Sequence, residues 1–415
     1  MDHRMKENWL KLFSSQCLQW HQNTQMSAAH DLFDPKIESI MPAKEGLRAQ
    51  EEIKLWHNYE PTPLHNLSSI ANELGISALN LKDESPRFGL GSFKALGGAY
   101  AVYRVLEELV KKETGQANVT SIDLRSGRYH AITNNITVVT ATDGNHGKSV
   151  AWGAREFGCL CKVYIHKDVS HGRENAIAAF GCDIIRITGD YDESVRQTDI
   201  DAKKNNWHVV SDTSYTGYMD VPRHVMQGYT ILAMEISHQI GNTLPTHVFL
   251  PGGVGGIAAA ISAEFWRIWG VERPKVIIVE PEAADCLYQS ALAKQPAHSS
   301  GNLETVMACL SAGEVSLLAW DILSRTANTF IILKDTTIAP SMQRLAKESI
   351  VSGESGAATL AGLAAVCSNP DAKQTLGLDS KSRVLLLSTE GATDPDIYAQ
   401  LVGIPPNKVI TSRPD

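Results

Sequence analysis

Seven apolar runs, set apart by segments long enough for a helix each, constrain this chain more than anything else in it. They read ITVVTA at 136–141, KVYIH at 162–166, DIIRIT at 183–188, WHVVSD at 207–212, HVFLP at 247–251, KVIIVEP at 275–281 and RVLLLS at 383–388. Runs this unbroken cannot belong to a sheet with one wet face, which would alternate apolar and polar residues. They predict parallel strands buried on both sides by helices, an α/β fold. The first four runs make a compact series, and at 415 residues the chain has room for two domains. The expected division is a small α/β domain over 97–213, inserted into a large discontinuous domain formed by 1–96 and 214–415. Each would carry a mostly parallel sheet covered by helices.

Composition narrows the partners. With 43% hydrophobic and 20% charged residues the chain is an ordinary folded protein, and a net charge of -8 argues against nucleic acid or an anionic membrane surface. No stretch reaches the length of a membrane span, and MDHRMKENWLKLF at the start has no long apolar run or small-residue cleavage site. A cytoplasmic protein acting on a small molecule is the expectation. Seven cysteines at irregular spacings form no disulfide framework, and the close pair Cys159 and Cys161 has no matching pair to complete a metal site. The spacing from Trp9 to Trp20 predicts an amphipathic helix packed on the main body, and the polar stretch Lys111 to Asn135 reads as a surface insertion.

One lysine stands out. In ESPRFGLGSFKALGGAY (84–100), Gly89 and Gly91 permit a tight turn and Ser92 can cap a helix, which places Lys94 in its first turn. A cation is disfavoured there by the helix dipole unless the amine is neutral or used covalently. A desolvated lysine with a lowered pKa is the kind that forms Schiff bases, although a lysine can also lay its stem on apolar surface and reach water.

Three loops at the carboxyl ends of predicted strands lie where open α/β sheets bind ligands. Gly252-Gly253-Val254-Gly255-Gly256, between HVFLP and a helix, can offer backbone N–H groups to a phosphate. In Thr142-Asp143-Gly144-Asn145-His146-Gly147, Asn145 can donate to a ligand oxygen and the amides of 144–147 can hold a carboxylate, with Thr142, Gly144 and His146 as the substrate-binding members. Asp143 and Asp212 could equally be helix-capping or turn residues. In Ser388-Thr389-Glu390-Gly391, at the end of the last run, a hydroxyl could meet a ring nitrogen, with Ser388 the residue carried forward. The glycine loop also has a dinucleotide-binding alternative, in which Glu280 would reach a ribose.

Taken jointly, an amine nucleophile, a phosphate cradle, an asparagine loop and a strand-end hydroxyl are the parts that hold pyridoxal phosphate. On Ser92-Phe93-Lys94, Gly144-Asn145-His146-Gly147, Gly252 to Gly256 and Ser388, the chain resembles the second fold type of pyridoxal-phosphate enzymes over about residues 55–400. The longer run KDESPRFGLGSFKALGGAYAV, with ATDGNHG, QGY, GESGA and LSTEG, is similar to the diaminopropionate ammonia-lyase family within it. Gly91-Ser92 stands where that family often has Asn-Ala, and the N-terminal region matches poorly.

The resemblance implies β-elimination of 2,3-diaminopropionate to pyruvate and two ammonia, with Lys94 as covalent cofactor anchor. Lys94 would also be base for the L isomer, Asp143 the base for the D isomer, and Asp212 the partner of the β-ammonium. A serine or threonine dehydratase of the same fold is the nearest alternative, and the two aspartates weigh against it. A binding protein that kept the fold but lost activity is opposed by the intact lysine and loops. A homodimer is the expected assembly.

Overall fold

The computed structural model describes residues 9–26, 33–142 and 144–410, and among these eleven strands form two sheets. In chain order they are Leu18–Gln22 (β1), Leu64–Asn66 (β2), Ala78–Asp83 (β3), Thr137–Ala141 (β4), Leu160–Ile165 (β5) and Asp183–Arg186 (β6). His208–Val209 (β7), His247–Pro251 (β8), Lys275–Pro281 (β9), Thr329–Leu333 (β10) and Arg383–Ser388 (β11) follow. The larger sheet has the order β1-β10-β9-β8-β11-β3-β2, parallel except at its two edges, where β1 and β2 run antiparallel to their neighbours. The smaller sheet, β6-β5-β4-β7, is parallel throughout. Its four strands all lie between β3 and β8 in the chain, so the smaller sheet interrupts the larger one.

Each of the seven runs contributes a strand, and those at the centre of the larger sheet are buried on both faces: β8 has no exposed residue and β9 only its first; β10, equally buried, lies outside the seven runs. The helix Lys94–Thr114 lies between the two sheets, against helices Asn145–Phe157 and Asp220–Ile240. One apolar cluster runs through this join, from Val138 and Val163 of the small sheet, through Leu96 and Ala99, to Leu232 and Val248. Among the described residues no helix is long and apolar enough to cross a membrane.

Two expectations fail. Trp9 to Trp20 is not a helix but two short 3-10 turns followed by β1. Trp9, Phe13 and Cys17, four residues apart, are buried, which is the helical spacing that misled; pairing with β10 satisfies the backbone of an otherwise open sheet edge. Nor is Lys111 to Asn135 a surface insertion. The helix continues to Thr114, and two short helices then bring Val119, Leu124 and Tyr129 into the core.

The segment before Lys94 rests on an ion cluster removed from water. Lys82 Nζ lies 2.6 Å from Glu235 Oε2, and Arg87 bridges Glu84 and Glu235, all with side chains at most 1% exposed. Thr62 and Gln239 satisfy remaining donors and acceptors. Such a cluster is tolerable because every charge has a partner, and removing one partner typically costs about 3–5 kcal/mol. It fixes the chain between β3 and the lysine.

Candidate active site

Lys94 is the first residue of its helix, as the sequence predicts, but Ser92 is not the cap: Phe93 is, in helical conformation and without a side-chain bond. Ser92 instead forms a bridge to Glu390, Phe93 N donates to Thr389 O and Gly391 N donates to Gly91 O. Backbone pairing with the end of β11 therefore holds the lysine in place.

The side chain of Lys94 enters a cleft lined by Phe93, Asn145, Asp212, Tyr229, the Pro251 to Val254 turn, Cys309, Thr389 and Glu390. Its Nζ lies 2.5 Å from Asp212 Oδ2, both side chains being 16% exposed. Burial works against the ammonium, but the charge of Asp212 and the hydrogen bond to it prevail and hold Lys94 above the ordinary lysine range. Burial likewise opposes the Asp212 carboxylate, and Lys94 with His146 pulls it well below the usual range. A neutral, lowered lysine was the expectation; the carboxylate opposite reverses it. His146 donates from Nε2 to Val210 O at 2.9 Å and turns Nδ1 to 3.9 Å from Asp212 Oδ2.

At the other end of the cleft, the glycine loop follows β8 and opens the helix Gly256–Trp269. Gly253 and Gly255 have φ of 59° and 95°, left-handed values that favour glycine, and a Cβ on Gly255 would come within 3.0 Å of Ala319. Gly252, Gly253, Val254 and Gly256 line the cleft; Gly255 makes the turn. The first N–H groups of a helix have no partner within it and carry partial positive charge, so this end of the cleft suits a phosphate. Glu280, the residue the dinucleotide alternative needs, is fully buried beneath the loop. It accepts from Leu287 N and Tyr288 N, which removes it from any ribose.

The asparagine loop closes a third side. Thr142 Oγ1 accepts from Gly144 N and Gly147 N, both at 3.1 Å, and so shapes the turn. Gly144 is the cap of the helix that Asn145 begins, with no side-chain cap bond. Asp143 lies outside the described residues. Asn145 Nδ2 donates to Glu390 Oε2 at 2.5 Å. Ser388 is fully buried, 2.8 Å from Ser352 Oγ, and the next residue, Thr389, is the strand-end hydroxyl that lines the cleft.

Lysine, aspartate, asparagine and phosphate cradle thus converge from four separate stretches of sequence. Sequence reasoning quoted Phe93, Tyr229, Thr389 and Glu390 inside its motifs without giving any of them a role of its own, and missed Cys309. Tyr229, Thr389 and Glu390 fall within runs that carry the resemblance, so a signal existed for them; Cys309 is the middle residue of the 3-10 turn Ala308–Leu310, in an irregular segment that offers none. A lysine nucleophile and a helix-start anion cradle at opposite ends of one cleft fit a cofactor bearing an aldehyde and a phosphate.

Comparison with known proteins agrees. The model of the pyridoxal-phosphate dependent enzyme family matches residues 55–390. The diaminopropionate ammonia-lyase of Salmonella typhimurium is 38% identical over 362 residues, 83% of this chain and 88% of the relative. The holo diaminopropionate ammonia lyase of Escherichia coli superposes with a TM-score of 0.83 at 33% identity, covering 93% of this chain and 96% of that one. The same enzyme in complex with an aminoacrylate-PLP azomethine reaction intermediate gives 0.82 at 33% identity, with the same coverage. From its motifs, its cleft and these relatives together, the chain belongs to the family of pyridoxal-phosphate dependent enzymes.

Proposed function

We propose that the protein eliminates ammonia from 2,3-diaminopropionate, taking up one water to yield pyruvate and two ammonia. The observation that carries this reading is the Lys94–Asp212 pair, an ammonium and a carboxylate in hydrogen-bond contact within the cleft, between which a proton can pass. The similarity to diaminopropionate ammonia-lyases supports the substrate.

Lys94 would hold the cofactor, with the Gly252 to Gly256 loop on its phosphate, Asn145 on a ring oxygen, and Ser388 or its neighbour Thr389 toward the ring nitrogen. When bound, pyridoxal phosphate supplies the electron sink for the pair left at Cα. Lys94 Nζ takes the Cα proton of the L isomer, and Asp143 takes that of the D isomer. An amine leaves poorly unless protonated, so an acid beside Cβ is required. Asp212 meets that need, because its contact with Lys94 lets the proton gathered at Nζ pass to the departing nitrogen. Gly144, which lines a smaller pocket beside Asn145, would take the substrate carboxylate, with Thr142 shaping its turn and His146 facing Asp212. Two acidic residues, Asp212 beside the lysine and Asp143 in the asparagine loop, are what favour this reading over a serine or threonine dehydratase.

The test is release of pyruvate from D- and L-diaminopropionate, serine and threonine, with two ammonia per pyruvate expected from diaminopropionate alone. Faster turnover of serine or threonine would reassign the enzyme as a dehydratase. A cytoplasmic homodimer remains part of the reading, and sedimentation of the purified chain at twice its monomer mass is the expected result.

A further inference from the structure

Glu390 is 2% exposed, lines the cleft, and has no part in the chemistry above. Among the described residues four donors meet its carboxylate, Asn145 Nδ2 at 2.5 Å, Cys309 Sγ at 3.2 Å, Ser355 N at 3.3 Å and Thr393 Oγ1 at 3.4 Å, and the carboxyl of Glu354 is near enough to feel its charge. Asn145 Nδ2 also lies 3.3 Å from Cys309 Sγ, so amide, thiol and carboxylate form a closed cluster. The backbone of Glu390 is fixed as firmly, by its bridge to Ser92 and by Gly353 N donating to its carbonyl.

An asparagine amide can be turned over with little change in shape, exchanging its oxygen for its nitrogen. A carboxylate opposite removes that freedom, since only the nitrogen can donate to it. We propose that Glu390 is a positioning residue for the cofactor: it holds the amide of Asn145 in one orientation, so that the second N–H, which here meets the weak acceptor Cys309 Sγ at 3.3 Å, is aimed where it can donate to a cofactor oxygen. The inference rests on Asn145 being a cofactor contact. Without Glu390 nothing holds the amide nitrogen toward the cofactor, and the hydrogen bond it donates there is lost.

The test is a double-mutant cycle on cofactor binding, which does not depend on which amino acid is the substrate. Full-length variants are freed of cofactor and titrated with pyridoxal phosphate by absorbance, and the absorption maximum of each loaded protein is recorded. Asn145→Ala and Glu390→Ala should each weaken binding about tenfold, the scale of one hydrogen bond. The double variant should bind no more weakly than Asn145→Ala alone. Glu390→Gln, which keeps an acceptor, should bind within about threefold of the parent, with the parent's absorption maximum. Additive losses would mean that Glu390 only packs, and no loss in either single variant would remove the role outright. Should Glu390→Ala fail to fold, Glu390→Met, which keeps the length of the side chain without its acceptor oxygens, takes its place in the cycle with the same expected losses. Losses that add in that cycle overturn the proposal as well.

Discussion

Lys94 Nζ and Asp212 Oδ2 lie 2.5 Å apart, and the contact keeps the lysine charged in the cofactor-free protein. Only the neutral amine attacks an aldehyde, so Asp212 stabilises the pocket while slowing capture of the cofactor. The sign follows: Lys94 is raised, so its pairing is intact at low and neutral pH and weakens as pH climbs through its elevated value. Capture should therefore accelerate with rising pH throughout the neutral range. In Asp212→Asn, burial is left to pull the ammonium down, and each unit of that fall multiplies the neutral fraction about tenfold. Reconstitution followed by absorbance at pH 7 should be faster in the variant even though turnover is lost. Equal rates would show that the pair does not govern the lysine.

The glycine loop offers a test that separates charge from shape. Asp and Asn are the residues that best tolerate a left-handed backbone, so both can occupy Gly253, whose φ is 59°. Gly253→Asp adds a negative charge beside the proposed phosphate, whereas Gly253→Asn adds the same bulk without it. The aspartate should cost affinity for pyridoxal phosphate by several kcal/mol at most, on the scale of about 1–3 kcal/mol per charge-assisted hydrogen bond lost, and the asparagine clearly less. Equal dissociation constants for the two variants would move the phosphate elsewhere.

The parallel strands were legible because burial on both faces writes itself as unbroken apolar runs, and the lysine because a cation at a helix start needs a reason. Other features lie outside what one stretch of sequence can carry. The segment Trp9 to Trp20 looks helical in sequence because Trp9, Phe13 and Cys17 are spaced for a helix, and nothing local shows that its 3-10 turns lead into a strand at the open edge of β10. The charge state of Lys94 depends on Asp212, 118 residues away, and local sequence reports burial without the partner that offsets it. Glu390 sits two residues from Ser388, yet alternation along β11 could not show that Ser388 turns to Ser352 while Thr389 and Glu390 line the cleft.

Two buried glutamates give the stability a pH dependence. Burial, then the charge of Glu390, pushes Glu354 up from 4.5 to about 7; burial pushes Glu280 to about 8 against the two amides that bond it. Between 4.5 and these values the folded protein holds protons that the unfolded chain has lost. The stability each contributes is thus complete below 4.5 and falls as pH rises, Glu354 by about 7 and Glu280 by about 8. Glutamine imitates the protonated acid at every pH. The melting temperatures of Glu354→Gln and Glu280→Gln, each minus that of the parent, should climb between pH 5 and 8, with a slope of at most about 1.4 kcal/mol per pH unit in stability. A difference that stays flat would show that the carboxyls titrate normally.

Asp143 separates elimination of an amine from both a dehydratase and a purely structural reading. The helix it precedes is capped by Gly144, so a residue at 143 stands before the cap position, where a side-chain cap contributes least. If Asp143 is the base for the D isomer, Asp143→Asn keeps size and polarity and removes only proton transfer. Loss of a general base typically costs a factor of about a hundred to ten thousand, so turnover of D-diaminopropionate should collapse while that of the L isomer, served by Lys94, falls less. A turn-forming role predicts the reverse: near-normal rates with Asn, and a loss of about 1 kcal/mol in stability with Ala. Steady-state rates of both variants on both isomers, beside their melting temperatures, tell these apart, and an equal fall on the two isomers would leave Asp143 needed but not assigned to one face of the substrate.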